Sequence, residues 1–229
     1  MKLSIVIPAY NEESEIRNVI EQILAVEIPG VEKEIIVVDD GSVDRTGEAA
    51  RSCGVWVMRH LVNRGVGGAL GTGIAAALRT GANLIVTCDA DGQHSATDIV
   101  KLVEPIRAGR ADVVIGSRML SSGGMPWIRR AANRLANLIT RVLFGIRTTD
   151  SQSGLRAFSR AAAERIRITA NRYEAFSEML DEVHRNHLRL VDVPIRAIYT
   201  EYSLSKGQGF RMGLRTLFRL LLSRRLKQP

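Results

Sequence analysis

Five short runs of mostly apolar residues, parted from one another by stretches of helical or glycine-rich sequence, constrain this chain more than any other feature. They read "KLSIVIPA", "EIIVVDD", "GVWVMRH", "NLIVTC" and "ADVVIGSR". A strand that is apolar on both faces has to be covered on both faces. The intervening segments can supply that cover. "EESEIRNVIEQILAV" places Ile16, Val19, Ile20, Ile23 and Leu24 on one helical face, and "ATDIVKLVEPIRAG" forms a helix ahead of the fifth strand. "SVDRTGEAARS" reads as a helix capped by Ser42 or Asp44. The alternation predicts an α/β protein with a mostly parallel sheet between layers of helices.

Beyond residue 120 the rhythm changes. "SSGGMP" is a loop, "WIRRAANRLANLITRVLFG" one long helix or two, and "TTDSQSGLRAFS" extended. Helices are expected around 159–167 and 173–187, a strand at "RLVDVPIRAIYT" and a last helix over 207–226. No linker composition interrupts the 229 residues, so one domain is expected over 1–208. It divides into a nucleotide-type half, 1–118, and an acceptor-type half, 119–208, followed by a basic amphipathic helix over 209–229.

No apolar run reaches the roughly 20 residues of a membrane-spanning helix. "MKLSIVIPAYNEE" lacks a small-residue cleavage site and reads as a first strand, not a signal peptide. The two cysteines, Cys53 and Cys88, lack metal-ligand spacing and are expected as core thiols in a reducing compartment. The net charge of +8 would suit nucleic acid, a membrane surface or a phosphate-bearing substrate. The excess sits at the C-terminus, where no acidic residue follows Glu201. There Arg211, Arg215 and Arg219 share one helical stripe, while Phe210, Leu214, Leu217, Phe218 and Leu221 line another. Such a helix lies on an anionic membrane, or docks on its own domain or a partner.

In open α/β sheets, ligands bind beyond the carboxyl ends of the strands. Three polar clusters fall there: "PAYNE", "VDDGS" and "CDADGQH". The first two also suit ordinary turns and helix starts. Asp89 and Asp91, one residue apart at the end of an apolar strand, repel each other unless a cation lies between them. Hard oxygen donors at this spacing suit Mg²⁺ or Mn²⁺ bridging protein to substrate phosphates, with Gln93 or His94 as further donors. "NRGVGGALGTG" departs from dinucleotide spacing, because Leu70 stands where the third glycine belongs. Its glycines serve either backbone approach to a ligand or close helix–sheet packing. Arg118, at the end of the fifth strand, and Arg129, Arg130 and Arg134 form either a solvated basic face or a cradle for an anion.

Taken together and in this order, these clusters resemble the family-2 glycosyltransferases of the GT-A fold, and within them the dolichyl-phosphate mannosyltransferase-like branch of polyprenyl-phosphate glycosyl synthases. The matching stretches are "SIVIPAYNEE", "IIVVDDGSVDRT", "NRGVGGAL", "CDADGQH", "VVIGSR", "DSQSGLRAF" and "VPIRAIYTEYSLSKGQ". Val66 stands where many relatives carry lysine, and Gly92 where leucine is frequent; neither removes a ligand. The resemblance implies a Rossmann-like central sheet and an inverting, metal-dependent transfer from a nucleoside-diphosphate sugar, GDP-mannose or a UDP-hexose, to a polyprenyl or dolichyl phosphate. It implies that Pro8, Tyr10, Glu12 and Asp39 line the nucleotide, supported by Asp40, and that Asp89 and Asp91 meet metal and diphosphate with Gln93 assisting. Arg118 would face the acceptor phosphate, and Arg130, Ser153, Arg156 and Arg196 lie in the acceptor-side motifs. A cytoplasmic protein, peripheral on the membrane through its C-terminal helix or a membrane partner, is the corresponding expectation.

A phosphate acceptor is already an anion and needs orientation; a hydroxyl acceptor needs a general base. Asp150, Glu174 and Glu178 are the acceptor-half candidates for such a base. The rival readings are therefore a same-fold transferase to a saccharide or other hydroxyl, and a member that binds nucleotide sugar without turnover. Nucleic-acid binding has only the charge in its favour, since no aromatic-interleaved basic platform is present.

Overall fold

The structure, a computed structural model, describes residues 1–121, 127–196 and 198. The first half alternates as the apolar runs require: β1 (Lys2–Ala9), α1 (Ile16–Ala25), β2 (Glu32–Asp39), α2 (Thr46–Arg51), β3 (Trp56–Arg59), α3 (Val66–Arg79), β4 (Leu84–Thr87), α4 (Asp98–Arg107) and β5 (Val113–Ser117). A 3₁₀ turn, Arg118–Leu120, ends this half. Then follow α5 (Trp127–Phe144), β6 (Arg156–Ser159), α6 (Arg160–Arg165), α7 (Glu174–Arg185) and β7 (Leu190–Pro194).

The strands form one sheet in the order β3-β2-β1-β4-β6-β5-β7. Its pairs are parallel except those of β6, which runs antiparallel to both β4 and β5. One apolar layer packs α1 and α4 residues (Ile16, Ile20, Ile99, Leu102) against Ile5, Ile7 and Val86. The opposite layer packs α3, α6 and α7 residues (Leu70, Ala162, Met179) against Val6, Ile85 and Phe158. This two-sided burial is what the unbroken apolar runs of β1, β2, β4 and β5 demand; β3, at the sheet edge, departs from it and leaves Trp56 and Met58 exposed.

Order and direction together position the site. Strand order reverses at β1, with β2 on one side and β4 on the other, so the loops leaving these strands part and leave a crevice at their carboxyl ends. Register aligns those ends, with Ala9 opposite Asp39. Because β6 runs backwards, its first residue lies beside the last of β4, Thr87 opposite Arg156. The 150–155 loop thereby arrives at the same crevice.

Several expectations need correction. "TTDSQSGLRAFS" is a loop up to residue 155, with pairing confined to Arg156–Ser159. Among the described residues of "RLVDVPIRAIYT", pairing covers Leu190–Pro194. At α2 the N-cap position is Arg45, and Asp44 Oδ1 accepts from Thr46 N at 3.0 Å, whereas the Ser42 hydroxyl accepts from Asn11 N. The expected C-terminal helix, 209–229, lies outside the described residues.

Candidate active site

The loops leaving β1 and β2 are knitted together before any ligand is considered. Asn11 holds φ 55°, and its backbone N–H donates to Ser42 Oγ while its side-chain oxygen accepts from Val43 N. Glu12 N donates to Thr46 Oγ1 at 2.8 Å. Tyr10 stands 44% exposed at the rim, with Pro8 and Glu12 half-buried beside it. Asp39 is placed deeper than a ligand-lining role suggests. It is 1% exposed, accepts from Ser42 N at 2.9 Å and pairs with Arg59 Nε at 3.6 Å. Asp40 accepts from His60 Nδ1 at 2.7 Å, Arg64 N at 3.0 Å and Gly65 N at 2.7 Å, tying down the loop after β3.

The glycines following that loop pack protein against protein. A Cβ on Gly67 would fall well inside 3.0 Å of the Ala170 carbonyl oxygen, and one on Gly73 would meet the Val6 side chain. Gly68 N donates to Asn171 O at 3.1 Å. Of the two uses open to these glycines, close packing is the one seen, and it joins the two halves of the chain.

Asp89 and Asp91 follow β4 at the mouth of the crevice. His94, 3% exposed, sits against Asp89, which keeps 35% of its side chain open; Nε2 and Oδ2 are 3.2 Å apart. A carboxylate can only accept, so Nε2–H donates. Sequence reasoning offered His94 as a metal donor, but the structure gives it to Asp89. Burial alone would raise the Asp89 pKa, yet the His94 hydrogen bond and the charges of His94, Arg118 and Arg156 outweigh it and hold the group below its ordinary value. Asp91 goes the other way, pushed up to about 6 by burial and then by Asp89. Gln93 donates to it from both backbone N (3.0 Å) and side-chain Nε2 (2.6 Å). The neighbouring Cys88 thiol is pushed up by burial and by both aspartates, which leaves it an inert core group.

Among the described residues no three His, Cys, Asp or Glu side chains converge as a ligand cage. Two carboxylates fit a hard divalent ion that takes the rest of its shell from substrate phosphate and water, and such an ion would relieve the Asp89 repulsion that adds to burial in raising Asp91.

On the acceptor side, Arg118 and Asp150 form a forked pair. Arg118 Nε and Nη2 reach Asp150 Oδ2 and Oδ1 at 2.7 and 2.8 Å, and Arg118 N donates as well at 3.1 Å. Asp150 is fully buried, so it is no general base. Glu178 is engaged by Thr169 N at 2.8 Å and Ala170 N at 2.7 Å. Thr148 and Thr149 donate to Asp192 on β7 and fix the loop leading to Asp150.

Ser153 and Arg156 are placed too deep to meet an acceptor phosphate. Arg156 is 1% exposed, its guanidinium donating to the carbonyls of Ser151, Ser153 and Phe176 and stacking 4.9 Å over the Phe176 ring. Burial pulls its pKa down to about 10. It is the internal post of the 150–155 loop. Arg130 is half-buried on α5, and Arg196 is exposed, its backbone N donating to Asp98.

Comparison with known proteins settles the class. A family model described as glycosyl transferase family 2 matches residues 4–167. The chain belongs to that family. The transferase is 38% identical to the UDP-N-acetylglucosamine–dolichyl-phosphate N-acetylglucosaminyltransferase of Methanococcus voltae, over 95% of this chain and 94% of that one. It is 33% identical to the polyprenol monophosphomannose synthase of Mycolicibacterium smegmatis, over 90% and 80%. Among solved structures, glucosyl-3-phosphoglycerate synthase of Mycobacterium tuberculosis in complex with Mn²⁺, UDP and glucosyl-3-phosphoglycerate superposes with a TM-score of 0.71 at 27% identity. That likeness covers 97% of the transferase and 79% of the synthase. The single-domain, mostly parallel sheet is that of the GT-A glycosyltransferases, as the sequence predicts.

Proposed function

We propose that this transferase moves a hexose from a nucleoside-diphosphate sugar to the phosphate of a polyprenyl-type lipid. The observation that carries this reading is the Arg118–Asp150 fork. It takes one of the three candidate bases, Asp150, out of solution and fixes a cation at the crevice mouth, which suits an acceptor that arrives already ionised. The names of the two relatives, both acting on polyprenyl-type acceptors, support it. Their sugars differ, so the donor stays a choice between GDP-mannose and a UDP-hexose.

In this reading Tyr10, Pro8 and Glu12 receive the nucleotide at the rim, with Asp39 and Asp40 shaping the wall behind them. Asp89 and Asp91 would hold Mg²⁺ or Mn²⁺, which would supply positive charge to stabilise the leaving diphosphate. Arg118 turns a phosphate oxygen toward the anomeric carbon from the face opposite the diphosphate. The new C–O bond forms as the bond to the diphosphate breaks and its electron pair leaves with the nucleotide. The centre is inverted, through an oxocarbenium-like transition state.

None of the described helices is long and apolar enough to cross a membrane. The outer face of α5 carries exposed Ala131, Leu135, Leu138 and Val142 at helical spacing, beside exposed Arg134 and Arg141. An apolar stripe flanked by arginines suits peripheral binding to an anionic membrane.

The synthase that superposes on this chain was solved with glucosyl-3-phosphoglycerate, which favours transfer to a soluble hydroxyl acceptor as a second reading. One release assay separates the two. UDP- and GDP-sugars are offered with Mn²⁺ or Mg²⁺, with and without a short polyprenyl phosphate, and nucleoside diphosphate and lipid-linked sugar are measured. Lipid-dependent release supports the proposal and identifies the donor. Release indifferent to the lipid sinks it in favour of the hydroxyl acceptor.

A further inference from the structure

The Asp89 carboxylate fills the space beside Gly154, in the loop that β6 delivers to the end of β4. A Cβ built on Gly154 has Asp89 Oδ2, Oδ1 and Cγ as its three nearest atoms, all well inside the 3.0 Å limit that real Cβ atoms respect. The backbone does not require glycine here, because Gly154 is absent from the left-handed positions that Gly65 and Gly92 occupy. The carboxylate alone excludes a side chain. The Gly154 peptide is itself pinned, its carbonyl accepting from the buried Thr87 hydroxyl at 2.7 Å. Across the carboxylate His94 donates to Oδ2, and its ring is too enclosed to swing away.

We propose that Gly154 and His94 are positioning residues that together clamp the Asp89 carboxylate in its metal- and diphosphate-facing pose, Gly154 by the absence of a side chain and His94 by its Nε2–H. This rests on Asp89 being the metal aspartate. Alanine at 154 forces the carboxylate back by about an ångström, since neither the pinned peptide nor the enclosed imidazole can yield. A displacement of that size at a reacting centre can cost about 100-fold.

The test is Mn²⁺ binding, read by the electron paramagnetic resonance signal of free Mn²⁺, with UDP and separately GDP present. Gly154→Ala is expected to weaken Mn²⁺ affinity about 10- to 100-fold, while the metal-free unfolding midpoint shifts far less than the affinity does. His94→Phe puts an apolar ring in place of the imidazole and removes the donor; it is expected to weaken affinity about 3- to 10-fold and decides the matter if the alanine variant does not fold. In an Asp89→Asn background neither change should weaken binding further, because both act through that carboxylate. If Asp89→Asn alone leaves Mn²⁺ binding intact, the metal assignment itself fails. If Asp89→Asn abolishes binding but Gly154→Ala and His94→Phe bind as the unmodified protein does, the clamp is refuted and the metal assignment stands.

Discussion

Arg118 and Asp150 lie 32 residues apart in sequence and meet as a forked ion pair in which the carboxylate is wholly buried and the guanidinium is not. The buried partner fixes the geometry of the partly open one, which in the proposed function meets the acceptor phosphate. Arg118→Lys keeps the charge and loses the fork. The expected result is a rise of about 10-fold in the KM for polyprenyl phosphate with nucleotide affinity unchanged, measured by steady-state kinetics and by UDP or GDP titration. Arg118→Ala strands a buried carboxylate, which costs about 3–5 kcal/mol and is read as a lower denaturant midpoint. An unchanged acceptor KM in the lysine variant would place the acceptor phosphate elsewhere.

Asp91 gives the metal-free protein a pH signature. Its pKa in the folded chain is raised from 3.8 to about 6, so between those values the folded state binds more protons than the unfolded state. Stability from this group is therefore full at low pH and declines as pH rises toward 6, then stays level. Asp91→Asn removes that decline. The difference in unfolding midpoint, variant minus unmodified protein in chelator, should grow from pH 4 to 6 and plateau above it. Mn²⁺ should raise the midpoint of the unmodified protein at pH 7 and leave that of the variant where it was. A difference independent of pH would mean that Asp91 is not perturbed as the structure implies.

Gly67 at the start of α3 tests whether the glycine-rich segment holds a ligand or the fold. With the Ala170 carbonyl occupying the place of its missing side chain, Gly67→Ala has to move backbone. The expected cost is about 1–3 kcal/mol or more in chemical denaturation, as for other overpacked sites. Nucleotide affinity of whatever fraction stays folded should be unaltered. The opposite pattern, intact stability with lost nucleotide binding, would return the segment to a ligand-binding role.

The same segment separates what is legible in a sequence from what is not. The strands and α1 were legible because burial on two faces writes itself as unbroken apolar runs, and burial on one face as a helical stripe. The crevice was legible because β1, β2 and β4 each end in polar residues. What could not be read was anything that depends on β6 running backwards, since "LRAFS" carries no mark of its direction. Reversal sets Arg156 inside the loop, Gly154 against Asp89 and Asp150 beneath Arg118. An arginine in a polar motif looks like a ligand group until its carbonyl partners are known. Likewise, a glycine gives no sign of which atom fills the space beside it.

The outer face of α5 presents exposed apolar and basic side chains together. Leu135 and Leu138 are 55% and 56% exposed and Val142 is 72% exposed, an expense in water that a lipid surface would recover. Arg134 and Arg141 flank them, so binding should need both apolar contact and anionic headgroups. Leu135→Glu/Leu138→Glu is expected to weaken binding to vesicles containing about one-third phosphatidylglycerol by 10-fold or more in a flotation assay. Raising the salt concentration should weaken binding of the unmodified protein, because each arginine near the surface contributes about 1 kcal/mol that salt screens. Deleting residues 210–229 separates this face from the tail, which lies outside the described residues. If the deletion abolishes vesicle binding and the double glutamate variant does not, the tail is the anchor and the exposed face of α5 serves another purpose.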